Sequence, residues 1–173
     1  MTTAEKYVTP TDVTQTWDVT PTCDARFSWE YDDSRARLLS LYQKGKDKQW
    51  DSTKRIDWSI EVDPDNPIGF PEEYNPFLGT TIWEKMTDKE QKAFQHHQQA
   101  WSWSQFMHGE QGAMITAARI VETVPEIDSK FYGATQTMDE ARHVETFARF
   151  LQEKVGTVYP MNNDLAALLK DAL

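Results

Sequence analysis

The sequence predicts an all-α fold built on one long helical hairpin, and three observations carry this prediction. Two runs without proline, from Thr87 to Pro125 and from about Ile127 to Val155, are long enough for extended helices. The break between them is short, so the two helices should lie antiparallel. Strand signals are weak, with IDWSIEV at 56–62 the one alternating run.

Local start and stop signals support each element of the hairpin. Thr87 and Glu90 have the spacing of a capping box, which predicts the start of the first long helix. Gly156 follows the second run and is a plausible stop. The closing segment, NNDLAALLKDAL, begins with Asn and Asp at capping positions and predicts a further amphipathic helix.

The N-terminal part of the chain is less regular. Residues 1–30 have little periodicity and indicate an extended arm, to which no function can be given. A short amphipathic helix is predicted at about 33–48, with Asp32 as a candidate N-cap and a basic end. The proline-rich stretch VDPDNPIGFPEEYNPFLG should contain no regular structure. We therefore divide the chain into an N-terminal extension, 1–80, and a helical region, 81–173.

Composition limits the classes of function. A chain of 173 residues is long enough for one domain with its own core. Its formal net charge of -10 disfavours nucleic acid and anionic membranes as partners, but is compatible with metal cations and small molecules. The single cysteine, Cys23, cannot form an internal disulfide, and no apolar run suits a signal peptide or a membrane span. These features lead us to expect a cytoplasmic protein.

Three residues form a candidate site across the hairpin. Glu110 lies fifteen residues before Pro125 and Glu140 lies fifteen residues after it, so both should sit about 22 Å from the turn. His143 shares the face of Glu140 within about 60°. Helical spacing surrounds them with expected core positions, namely Gln99, Trp103, Phe106, Met107, Ala113, Met114, Ala117, Val121, Gly133, Thr137, Val144, Phe147 and Leu151. Carboxylates in such surroundings are costly unless they are paired or bind a metal.

The kind of donor indicates the kind of metal. Carboxylate oxygens with one imidazole suit iron or manganese, and Cys23 has no partner thiols for a zinc–thiolate site. Di-iron sites in four-helix bundles take one Glu from each of two helices and a Glu-x-x-His from each of the other two. This chain has one Glu and one Glu-x-x-His, which amounts to half a site. A buried, hydrogen-bonded pair without metal is the alternative.

Neighbouring residues are left with open roles. Asp139 is either an outer partner of a ligand or a solvated acid, and Glu145 should face solvent. His96 and His97 should lie on the polar face, and His108 is kept as a reserve ligand. Gly109 and Gly112 are expected to allow close helix contact, with a π-bulge or a substrate channel as alternatives. For Trp101, Trp103 and Tyr132 we expect core packing, ahead of electron transfer or a substrate pocket.

The segments SQFMHGEQGAMITAARIVE and TMDEARHVETFARFLQEK resemble the first helical pair of ferritin-like di-iron carboxylate proteins. Including LYQKGKDKQWD, residues 30–173 resemble actinobacterial ferritin-like oxidoreductases, whose metal sites are similar to those of p-aminobenzoate N-oxygenase and the ribonucleotide reductase small subunit. The resemblance implies Glu110, Glu140 and His143 as iron ligands, with Glu140 bridging, and two irons or a manganese–iron pair in a complete site.

The resemblance also implies a second helical pair, which this sequence does not contain. Two chains would therefore pair as a homodimer, or the chain is the N-terminal half of a longer protein. The lack of a stop signal at Leu173 favours the second reading. The expected function is a metal-dependent oxidoreductase that uses dioxygen on a small organic substrate. The alternatives are a ferroxidase that handles iron and a non-catalytic helical interaction module.

Overall fold

The structure is a computed structural model that describes residues 18–20, 23–31 and 35–173. Its described part is helical and contains no strand, which confirms the all-α prediction. The helices are α1 (Ala36–Asp47), α2 (Ser52–Arg55), α3 (Thr81–Lys85), α4 (Asp88–Thr123), α5 (Ile127–Phe150) and α6 (Asn163–Ala172). No helix in these ranges is both long enough and apolar enough to cross a membrane.

Helices α4 and α5 form the predicted antiparallel hairpin. The capping box at the start of α4 is complete, because Glu90 N donates to Thr87 Oγ1 at 3.4 Å and Thr87 N donates to Glu90 Oε2 at 2.8 Å. A 36-residue helix is about 54 Å long. Since the chain reverses over three residues, side chains at equal distances from the turn meet along most of this length.

The end of α5 differs from a regular α-helix. After Phe150 the chain forms one π-helical turn, Leu151–Val155, in which Gly156 N donates to Leu151 O at 2.8 Å. Gly156 then has a φ of 75°, in the left-handed region that glycine adopts without steric cost. The predicted stop at Gly156 is confirmed, and the last turn before it is wider than expected.

Helix α1 is shorter at its start than predicted. It covers Ala36–Asp47 rather than about 33–48, and the candidate N-cap Asp32 lies outside the described residues. The expected basic end is present, with Lys44 and Lys46 in the last turn.

Helix α1 packs along α5. Before its first residue, Arg35 N donates to Asp128 Oδ2 at 2.8 Å, and Asp128 is fully buried at the start of α5. Further along, the rings of Tyr42 and Phe131 stack with 5.2 Å between centroids. Part of the predicted N-terminal extension therefore contacts the hairpin directly.

Three short helical pieces were not predicted. Asp51 caps α2 by accepting from Thr53 N, and Thr80 caps α3 by accepting from Trp83 N. A 3-10 turn, Glu72–Tyr74, interrupts the proline-rich stretch, so the expectation of no regular structure there was wrong for three residues. The alternating run at 56–62 forms bends and turns.

A buried glutamine fixes the proline-rich loop to α4. Gln99 is 1% exposed, its Oε1 accepts from Ile68 N at 3.0 Å, and its Nε2 donates to Asn66 Oδ1 at 2.7 Å. Burying an amide without partners would be costly, so these two bonds explain why a polar residue occupies an expected core position.

The packed core lies at the end of the hairpin away from the turn. Ala100 of α4 and Leu151 at the end of α5 have no exposed surface, and Val155 is 5% exposed. Partly buried side chains surround them, namely Trp103, Met107, Phe150, Val158 and Tyr159. Most of the other predicted core positions are partly buried. Phe106 contradicts the prediction, since it is 60% exposed.

Candidate metal centre

Glu110 of α4 and Glu140 and His143 of α5 converge as predicted. One donor atom from each residue lies within 4.8 Å of the other two. His143 Nδ1 is 3.2 Å from Glu110 Oε2 and 3.0 Å from Glu140 Oε2. Among the described residues, this is the one cluster of three or more histidine, cysteine or acidic side chains with such geometry.

The two carboxylates lie in a partly desolvated environment. The Glu140 side chain is 16% exposed and that of Glu110 is 25% exposed. Burial and then the hydrogen bond with Glu110 raise the pKa of Glu140, and His143 opposes this effect without cancelling it. Because the two carboxylates lie this close together, a positive charge between them would stabilise their charged forms.

His143 supplies that charge when it is protonated. Burial lowers the pKa of His143, but the hydrogen bonds with Glu140 and Glu110 outweigh burial and raise it overall. The proton on Nδ1 then faces both carboxylate oxygens, at the point where all three donor atoms meet.

The donor set fits a hard or borderline divalent metal. Bonds to such ions are roughly 2.1 Å long, so two ligand atoms at right angles lie about 3 Å apart. The two Nδ1–Oε2 separations, 3.2 Å and 3.0 Å, agree with this spacing. A cation can replace the His143 proton here, because a ligating imidazole nitrogen must be deprotonated.

A buried arginine lies behind the site and engages Asp139. The Arg142 side chain is 7% exposed, and its guanidinium donates to Asp139 Oδ1 and to Gln49 Oε1. It also lies over the Trp50 ring, 5.4 Å from the centroid, and that ring is 6.3 Å from the His143 imidazole.

Sequence reasoning missed Gln49 and Trp50. Both follow α1, and nothing in their spacing links them to a motif on α5. The arginine inside the Glu-Ala-Arg-His motif was the available signal, because an arginine on a helix face that faces the core needs partners.

The remaining histidines have other contacts. His108 Nε2 lies 2.9 Å from Tyr159 O, and His96 Nε2 lies 3.1 Å from Thr157 Oγ1. His97 Nδ1 lies 2.8 Å from the Tyr159 hydroxyl. The structure thus leaves the reserve residue His108 outside the cluster.

The two glycines beside Glu110 have different surroundings. A Cβ on Gly112 would lie 2.4 Å from Leu169 Cδ2 of α6, so close helix contact is confirmed there. A Cβ on Gly109 would meet nothing within 4 Å, so that explanation is wrong for Gly109. The helix is regular at both positions, without a π-bulge.

A groove of about 490 Å³ opens between α4 and α6 and reaches Glu110. We call it the α4–α6 groove. Its lining consists of Trp101, Ser102, Gln105, Phe106, Gly109, Glu110, Asn162 and Leu165. Trp101 is 44% exposed, which contradicts its predicted core packing, whereas Trp103 packs on Phe147 with 4.7 Å between ring centroids.

One comparison with known proteins gives a match. A family model described as AurF, p-aminobenzoate N-oxygenase, matches residues 31–170. The matched range contains α1 to α5 complete and all three residues of the cluster. Comparison with the curated proteins gives no significant match, and neither does comparison with the solved structures.

Proposed function

The chain belongs to the p-aminobenzoate N-oxygenase AurF family, and we propose that it forms part of a di-iron enzyme that uses dioxygen to oxidise a small organic substrate. The observation that carries the proposal is the approach of His143 Nδ1 to one oxygen each of Glu110 and Glu140. The family supports an oxygenase, and the geometry supports a metal at these residues.

In this proposal Glu110, Glu140 and His143 would hold the metal, and Glu140 would be the carboxylate that the family resemblance implies as bridging. The complete site would take two irons, with a manganese–iron pair as the alternative. Bound metal would supply the redox chemistry with dioxygen, whereas the protein fixes the ligand geometry and limits access of water. His143 Nδ1 would have to be free of its proton to hold a metal, because a ligating imidazole nitrogen must be deprotonated.

Trp50 and Arg142 constrain the positions of the proposed metal ligands. The indole of Trp50 is tilted against the His143 ring, with 6.3 Å between centroids, and limits the directions that the imidazole can take. Arg142 is tied to Asp139 on its own helix and to Gln49 after α1, so it fixes the chain after α1 against α5. Such outer contacts orient metal ligands and tune their affinity.

The α4–α6 groove supports a small, mostly apolar substrate. It reaches Glu110, and Trp101, Phe106 and Leu165 provide apolar walls. Insertion of one oxygen atom into the substrate, with reduction of the other to water, consumes two electrons and two protons. We propose an external two-electron reductant as the source of the electrons and solvent as the source of the protons.

Three ligands are half of what a di-iron bundle site requires. A second copy of the chain or a further helical pair would provide another Glu and another Glu-x-x-His. A cytoplasmic location remains part of the proposal and rests on Cys23 being the one cysteine in the sequence.

Metal content measured together with oligomeric mass tests the proposal. We expect iron to bind at about two ions per complete site. Glu140→Gln should abolish this binding, because it removes the proposed bridging carboxylate. Glu145→Gln is the matched control, since Glu145 is an exposed acid on the same helix and should leave binding unchanged.

The outcomes separate the alternatives. Two ions per dimer would mean that two chains share one site. If neither iron nor manganese binds to the wild-type protein in its complete form, the proposal is wrong and a helical interaction module is favoured. If iron is oxidised and stored without an organic substrate, the ferroxidase alternative replaces it.

A further inference from the structure

Positive charge is concentrated in one part of this acidic chain. Residues 35–55 contain seven Lys and Arg and two Asp, which gives this stretch a formal charge of +5. The whole chain carries -10, so the remaining residues together carry -15. Apart from Arg35, which is paired with Glu126, the basic side chains of this stretch are all exposed. We call them the basic surface, which consists of Arg37, Lys44, Lys46, Lys48, Lys54 and Arg55.

Most of the basic surface is not neutralised by the chain itself. Lys54 Nζ lies 3.0 Å from Asp51 Oδ2, and Lys46 Nζ lies over the Tyr42 ring, 4.4 Å from its centroid. The other four side chains form no ion pair with an acid of the described residues. Since the Lys54 pair is exposed, it stabilises the fold little. A surplus of positive charge therefore faces solvent.

The basic surface follows α1 and ends in an open depression. At 100° per residue, Arg37, Lys44 and Lys48 lie within about 40° of one another, so they share one edge of α1. The depression begins directly after Lys48 and has a volume of about 430 Å³. Its lining consists of Gln49, Trp50, Asp51, Lys54 and Arg55.

Trp50 connects this depression to the candidate metal centre. It lines the depression, and its ring centroid lies 6.3 Å from that of the His143 imidazole. One aromatic ring thus separates the basic surface from a proposed metal ligand. The α4–α6 groove reaches the same cluster at Glu110, from the side of α4. The centre is therefore approached by a mostly apolar groove on one helix and by a basic surface beside the other.

We propose that the basic surface is the docking site of a small acidic protein that carries one electron at a time, and that this protein reduces the metal centre past Trp50. It would be the external reductant of the proposed function, on which its role as electron donor rests. Each encounter oxidises the redox group of the carrier by one electron and reduces the metal centre by one. Two encounters supply both electrons, and solvent supplies the protons.

The position and size of the basic surface favour an electron carrier over other acidic partners. A carrier protein that delivers a bound substrate would have to dock beside the α4–α6 groove, whereas the basic surface lies on α1 and α2. A nucleic acid or an anionic membrane presents negative charge over a wide area, which the charge of -15 on the rest of the chain repels. A small acidic protein can contact the basic surface alone, in the short-lived way that is typical of electron-transfer complexes.

Binding to the metal-free chain tests the docking. The probe is a plant-type [2Fe–2S] ferredoxin, which is an acidic one-electron carrier. In calorimetric titrations we expect binding at about 50 mM NaCl and at least about tenfold weaker binding at about 300 mM, because salt screens exposed charges. The paramagnetic cluster broadens nearby amide signals in the NMR spectrum of the ¹⁵N-labelled chain. We expect this broadening at residues 44–55 and not at the α4–α6 groove.

Two double variants separate the basic surface from net charge. Lys48→Glu with Arg55→Glu should weaken ferredoxin binding at low salt by about tenfold or more, because two attractive contacts become repulsive. Lys85→Glu with Lys89→Glu is the matched control, since it makes the same change in net charge at two exposed lysines. Lys89 precedes Glu110 by twenty-one residues of α4, about 31 Å along the helix, so the control should weaken binding by less than about threefold. Circular dichroism verifies that both variants fold.

The role as electron donor is measured on the complete, iron-loaded protein. Reduced ferredoxin is mixed with it without oxygen in a stopped-flow instrument, and oxidation of the [2Fe–2S] cluster is followed by absorbance. At low salt, Lys48→Glu with Arg55→Glu should slow this oxidation by about tenfold, whereas Lys85→Glu with Lys89→Glu should leave it nearly unchanged. Equal rates in the two variants would mean that electrons enter elsewhere.

The docking is overturned if ferredoxin does not bind the wild-type chain, if both double variants bind it equally, or if the broadened signals lie away from residues 35–55. Tighter binding of anionic lipid vesicles or of a DNA duplex to the same residues would overturn it in favour of that partner. Because these titrations use metal-free protein, their failure leaves the proposed metal centre untouched. If the complete protein binds no iron, the proposed function fails and the electron-donor role with it, while the binding data still decide the docking.

Discussion

Two levels of the same helical hairpin, at different distances from the turn, differ in burial and in polarity. At the level of Ala100 and Leu151, neither residue has any exposed surface and the neighbours are apolar. At the level of Glu110, Glu140 and His143, the side chains remain 25%, 16% and 40% exposed. The first level is packed like a protein core, whereas the second keeps charged groups close together in partial contact with solvent.

This difference shows that one pair of helices can place the residues that stabilise the fold and the candidate metal ligands at different distances from the turn. Burial of apolar surface stabilises the hairpin at its packed end. At the ligand level, burial raises the pKa of Glu140 and therefore opposes its charged form. Ligand residues in such a place should contribute little to folding in the absence of metal, which leaves their identity to be set by function.

The largest change in stability is expected at the packed end of the hairpin. Leu151→Ala removes a fully buried side chain next to Ala100 and Val155 and should lower the free energy of unfolding by about 3 kcal/mol. Urea denaturation followed by circular dichroism measures this change. Leu168→Ala is the control, since Leu168 is 63% exposed and its loss should cost less than about 0.5 kcal/mol. Equal effects would mean that the packed end is not the source of stability.

A smaller effect is expected at Arg142 of α5, which is paired with Asp139 on the same helix and donates to Gln49 after α1. Asp139→Asn leaves the buried Arg142 with a neutral partner and should lower the free energy of unfolding by about 1–2 kcal/mol. Glu145→Gln, an exposed acid on the same helix, should change it little. A chemical denaturation series on both variants provides the measurement. If the two variants are equally stable, the ion pair between Asp139 and Arg142 does not stabilise the fold.

The smallest change in stability is expected at the two glycines of α4, Gly109 and Gly112. Gly109→Ala adds a methyl group in open space and should stabilise the protein by up to about 1 kcal/mol through helix propensity. Gly112→Ala should gain nothing or be destabilising, because its methyl group requires the buried Leu169 to move. Melting temperatures of the two variants give the answer, and a similar gain at both sites would show that α6 adapts freely.

Local rules were sufficient for the hairpin and for its candidate ligands. The Thr87 capping box, the break at Pro125 and the stop at Gly156 each depend on a few neighbouring residues. The meeting of Glu110 with Glu140 then follows, because equal distances from a tight turn fix equal heights on antiparallel helices.

The surroundings of the ligands could not be predicted in the same way. Trp50 reaches His143 through the path of the chain after α1, and Gln99 is buried because a distant loop supplies its hydrogen-bond partners. Phe106 has the spacing of a core residue but faces an open groove. Helical periodicity shows which residues share a face, but not which faces another segment covers.

The π-helical turn at Leu151–Val155 controls the direction of everything that follows it. Such a turn holds one more residue than an α-helical turn, so deletion of a single residue there would restore regular winding. Each residue contributes about 100° of rotation, and the chain beyond would leave α5 on a different side. Tyr159 could then no longer reach Ser104 and His108, whose contacts bring α6 back onto α4. The one extra residue of this turn thus determines the side on which the chain leaves α5, and with it the position of α6 against α4.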